Sequence, residues 1–152
     1  MFTPTHLHAM IVHFPIALLI FGFFTEVIHF IWKKKFFADA AFFLLLFGSL
    51  GSLAAYISGN LAGEGMEEGS LEAAIETHEQ AAMITVILAV VTLVVYIYSY
   101  WKKAFPRNVR IIGLVFFAAT VITVARTGYL GGQLVYKHAA GVELGLPNFQ
   151  ED

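Results

Sequence analysis

The sequence predicts an all-α membrane protein, a single four-helix, up-down transmembrane bundle over residues 1–152, and three observations predict it. Hydrophobic residues make up 59% of the chain and charged residues only 13%, about half the charged share of a soluble domain. Four apolar runs are each long enough to cross a hydrocarbon core, which takes about 20 helical residues. Their links are short, so consecutive spans must run antiparallel.

Composition also excludes several functions. With a net charge of -2 and no basic stripe, nothing in the chain tracks a nucleic-acid backbone. Cysteine is absent, which removes disulfides, thiolate metal sites, iron–sulfur clusters and covalent haem attachment. Any cofactor must be held by nitrogen, oxygen or methionine sulfur. No positive n-region or small-residue cleavage site precedes the first apolar run, which is therefore expected to stay as a span.

The spans fall near Ala9–Trp32, Phe37–Leu61, Gln80–Trp101 and Ile111–Leu130. Lys33, Lys34 and Lys35 lie between the first two, and Lys102, Lys103, Arg107 and Arg110 between the last two, seven of the nine basic residues. By the positive-inside rule that side is cytoplasmic. Both termini, and the loop carrying Glu64, Glu67, Glu68, Glu72 and Glu76, then face the periplasm of a bacterial inner membrane.

Span one offers two starts, Thr3-Pro4 and Phe14-Pro15, each a cap-and-proline signal. The first gives a helix kinked at Pro15, the second a flexible arm; the kinked helix is preferred. In span two, Gly48, Ser52, Ala55 and Gly59 form one stripe of small residues, suited to close helix packing or to lying beside a planar cofactor. Gly69-Ser70 reads as a turn and cap, with the third helix starting near Leu71. Glu72, Glu76 and Glu79 would then be positioned to orient His78. In span four, Arg126 lies one turn inside the membrane, where it either snorkels or meets an anion such as Glu76, Glu79, a lipid phosphate or a cofactor carboxylate. Gly131-Gly132 is expected to stop that helix. Glu26 is the other intramembrane charge, with His29 three residues on to share a proton or satisfy it near the headgroups.

Five of the six histidines, His6, His8, His13, His78 and His138, converge on the periplasmic side. His8-Ala-Met-Ile-Val-His13-Phe-Pro15, a histidine opening span three, and Gly131-Gly-Gln-Leu-Val-Tyr136-Lys-His138-Ala-Ala-Gly141-Val together resemble the bacterial inner-membrane proteins of domain-of-unknown-function family 2231, over nearly the whole chain. The family pattern usually reads His-Pro-Met at the start and His-Gly-Val-Gly-Val at the end. Here Ala9 and Ala139-Ala140 depart from it beside the imidazoles. The resemblance implies four spans and a link to c-type cytochrome modules, and supplies no activity.

Imidazoles from different segments of a bundle can take both axial positions of a flat haem. The reading is therefore a b-type cytochrome holding one or two haems through His8, His13, His78 and His138, with His13–His78 the favoured pair and His8–His138 a second. Arg126, Tyr129 and Lys137 would meet the propionates, and the 15 phenylalanines would exclude water. Electrons would pass between quinol in the bilayer and a periplasmic c-type cytochrome, making the chain at most one component of an oxidoreductase, either a homo-oligomer or a respiratory-complex subunit. The alternatives are a copper, zinc or iron site, to which His6 and Met10, Met66 or Met83 add donors, and an assembly subunit without cofactor. No arrangement for hydrolysis is present.

Overall fold

The computed structural model describes residues 3–64, 71–102 and 106–142. Gly69 and Ser70, Met66, Glu67, Glu68 and Lys103 lie outside the described residues. Five helical segments make up four spans: α1 (Pro4–Ile11) and α2 (His13–Trp32) together, then α3 (Lys35–Gly63), α4 (Glu72–Trp101) and α5 (Arg107–His138).

Span one takes the earlier start. The Thr3 hydroxyl accepts from the His6 N–H at 3.3 Å and Pro4 opens the first turn. Pro15 has no N–H to give the Ile11 carbonyl, and its ring crowds the turn behind it. The helix breaks at Val12 for that reason, yet it does not end. The Val12 N–H still reaches the His8 carbonyl at 3.1 Å, and the Ile16 N–H reaches the Val12 carbonyl at 3.4 Å.

Helix α5 corrects one expectation. It runs through Gly131 and Gly132 to His138, two turns beyond the predicted stop. Glycine weakens a helix interior by only about 1 kcal/mol, which packing against α4 offsets. The stop falls at Ala139, in the left-handed region at φ 53°, where the Ala140 N–H folds back to the Leu134 carbonyl at 3.0 Å.

The helices pack in the cyclic order α2, α3, α4, α5, with α1 lying against α3. Bulky apolar side chains such as Phe14, Phe21, Phe24 and Phe47 face outward, as lipid allows. Small and hydroxyl-bearing residues face inward, where they let backbones approach and pair across helices. Thr92 and Thr120 hydroxyls bond at 3.1 Å, Thr85 and Thr127 at 3.0 Å, and Ser49 donates to the Ala89 carbonyl at 3.3 Å. Between them Leu19, Leu45, Tyr96, Phe117 and Val124 form the apolar centre.

The buried faces of the two helix pairs share one spacing. In α2 they are Pro15, Leu19, Gly22, Glu26 and His29; in α4 Thr85, Ala89, Thr92, Tyr96 and Ser99 repeat them at a constant offset of 70 residues. Ala41, Leu45, Gly48 and Ser52 of α3 are matched in α5 by Gly113, Phe117, Thr120 and Val124 at an offset of 72. This alternation of four and three residues is the period of a helix that buries one face. None of these nine pairs keeps the residue type.

Relieving the left-handed alanine should help. Ala139→Gly removes about 1–2 kcal/mol of backbone strain against about 0.5–1 kcal/mol of lost chain entropy. The variant is expected to melt at a slightly higher temperature in detergent, read by circular dichroism.

Candidate functional site

At the end of the bundle where α1 begins and α5 finishes, two histidines stand in like settings. His8 and His78 are 70 residues apart, Gly59 and Gly131 are 72 apart, and each histidine lies on its own glycine. A Cβ built on Gly59 would stand 3.0 Å from His8 Cε1, and one on Gly131 would stand 3.1 Å from His78 Cε1. Beside the rings lie the carbonyls of Ala55 and Thr127, again an equivalent pair. Each hairpin therefore seats an imidazole edge-on in a glycine notch of its second helix. Because span one and α4 are diagonal in the cyclic order, the two rings approach from opposite corners, near enough for their charges to interact.

The hydrogen bonding fixes one tautomer. Ser58 has a single hydroxyl proton and gives it to the Ala55 carbonyl at 3.0 Å. It must then accept at 3.0 Å from His8 Nδ1, which bears the proton. His8 Nε2 is left with its lone pair, the state in which imidazole binds a metal. On the other hairpin, His78 Nδ1 is buried, and the Thr127 carbonyl is the acceptor beside its ring.

The other predicted residues do not join this pair. His13 is exposed, and its Nδ1–H donates to the Ala9 carbonyl at 2.7 Å on its own helix. The structure thus places His8, half-buried, within charge-interaction range of His78, and His13 on the outer surface of span one. His6 is exposed and tied to the Thr3 hydroxyl at 2.8 Å, and His138 is exposed in the last turn of α5. Arg126 and Tyr129 lie on the outward face of α5, opposite Val124 and Thr127, with Tyr129 66% exposed. Lys137 donates to Gln133 at 3.3 Å. The carboxylates expected at His78 are engaged elsewhere: Glu76 accepts from Gln80 at 3.0 Å, and the Glu79 carboxylate lies by Gly63. Ser58 and the two carbonyls were missed, because their place beside the rings depends on how the helices meet.

Glu26 also pairs differently. His29 Nδ1 donates to the Lys34 carbonyl at 3.1 Å, while Glu26 hydrogen-bonds Tyr96 and faces Arg110.

Four long apolar spans with a hydroxyl-lined interior define a multi-pass membrane protein. The model of the family described as predicted membrane protein (DUF2231) matches residues 4–144, and the chain belongs to that family. No curated protein and no solved structure matches it.

The glycine notches give a direct contrast. Gly131→Val must push the His78 ring aside, an overpacking expected to cost about 1–3 kcal/mol. Gly132 has open space around its Cβ position, so Gly132→Ala is expected to be neutral or stabilising by up to about 1 kcal/mol. Thermal melting of the two variants in the same detergent checks both.

Proposed function

We propose that this end of the bundle holds one b-type haem between His8 and His78, and that the protein is a membrane-bound electron-transfer cytochrome. The observation that carries the reading is that His8 and His78, on diagonal spans at one end of the bundle, are each seated against a glycine of the neighbouring helix. Two imidazoles from diagonal helices, one with Nδ1 tied down and Nε2 free, supply the donor set of a low-spin haem. A bare copper, zinc or iron ion takes three or four donors. Among the described residues no three His, Asp or Glu side chains gather for one. Haem is favoured over the metal site on that ground.

When bound, the haem would supply one-electron chemistry. The chain's own part is to hold two neutral imidazoles at a fixed separation, to set their basicity through Ser58 and the two carbonyls, and to keep water away with apolar helix faces. A site at one end of the bundle suits exchange with a carrier docked there, such as a c-type cytochrome, and with quinol at the same membrane level. It does not carry electrons across the bilayer by itself.

Protein purified from haem-replete cells is expected to give a Soret band and a pyridine haemochrome of about one haem b per chain. His8→Ala and His78→Ala should each lose most of it, while His13→Ala and His138→Ala keep it. Colourless wild-type protein, or loss on changing His13 but not His8, would overturn the assignment.

A further inference from the structure

The eight residues of α1 stand apart from the rest of span one. Helix α2 is 20 residues long, about 30 Å, which by itself crosses a hydrocarbon core. Helix α1 therefore lies beyond that core, at the level of the headgroups. None of its residues is buried. It leans on α3 and, among the described residues, has no comparable packing against α5. An element with so little buried apolar surface moves at low cost.

At its base the chain is built to bend. Val12 ends one helical segment and begins the next. Pro15 withholds the N–H that the Ile11 carbonyl would take, and the bond from the Ile16 N–H to the Val12 carbonyl is stretched to 3.4 Å. Such a joint is where a helix kinks. The His13 ring spans it, with Nδ1–H donating to the Ala9 carbonyl at 2.7 Å, and sets the angle seen here.

Two contacts hold the far end. His8 Nδ1–H donates to Ser58 Oγ at 3.0 Å, with the ring over Gly59. Past α5, Gly141 takes the left-handed region at φ 71° and lies against the Thr5 methyl, where a Cβ would collide. Thr5 is the second residue of α1, so this contact acts almost as far from Val12 as the helix allows.

We infer that α1 is a door to the histidine pair, hinged at Val12 and latched by Thr5 against Gly141. Opening lifts His8 off Ser58 and Gly59 while His78, carried by α4, stays on Gly131. The two rings part, and the site admits a planar macrocycle from its edge. The hinge follows from packing alone, while its use as an entry rests on the haem reading above.

The chain has no cysteine, so introduced thiols react alone. Thr5 Cβ stands 3.6 Å from a Cβ built on Gly141, within the range a disulfide spans, so Thr5→Cys with Gly141→Cys locks the latch on oxidation. Full-length apo-protein in nanodiscs is mixed with haemin, and the Soret band is followed in time. The oxidised double variant is expected to take up haemin roughly tenfold more slowly than the same protein after phosphine reduction, as the open fraction is lost. Thr5→Cys alone is expected to match the wild type under both treatments. Opening is also read without haem, by nitroxides at Leu7→Cys on α1 and Ala73→Cys on α4, both exposed. Gly141→Val, which forces the latch apart, is expected to add a longer-distance population in pulsed electron resonance. Equal uptake by the oxidised and reduced double variant, or an unchanged label distance in Gly141→Val, overturns the inference. Failure of the wild type to take up haemin sinks the haem reading instead, and the label distances then decide the hinge.

Discussion

The approach of an imidazole ring to helix backbone over a glycine is the contact on which the architecture turns. A side chain at Gly59 or Gly131 would occupy the space where His8 or His78 lies. With glycine there, the histidine-bearing helix of each hairpin can lean on its neighbour at one end of the bundle. The same device recurs deeper in. Gly48 admits Leu19, Gly22 admits Phe117, and Gly113 admits Tyr96, so three of the five core residues sit in gaps left by a missing Cβ. In lipid, where no hydrophobic force drives helices together, such close packing supplies much of the association energy.

The two ends of the bundle carry different chemistry. At the histidine end two imidazoles stand in like settings, and the result is a near-symmetric pair. Symmetry suits a ligand with two like faces. At the basic end Glu26 and Tyr96 supply an acceptor and a donor that hydrogen-bond one another.

Four spans were legible because apolar length is a strong signal, and the kink was legible because proline lacks a donor. The end of α5 was not. Gly131-Gly132 reads as a stop when only local propensity counts, and the helix continues because Gly131 is a seat for His78. The pairing of histidines was read from depth along span one, which does not register the break at Val12. His13 seemed the more deeply placed, but the break at Val12 turns it outward and leaves His8 facing α3. Arg110 was counted only as one of many basic residues on one side. Its role beside Glu26 depends on how α5 and α2 meet, which no single stretch of sequence encodes.

The left-handed turn at Ala139 redirects the chain back toward its own beginning, and Gly141 comes to lie against Thr5, where any side chain would collide. The two extremities of the described chain are thereby neighbours. A short linker would join them, and a molecule opened instead between its two hairpins would thread the same bundle in the order second hairpin, first hairpin. The architecture is in this sense indifferent to which half is made first.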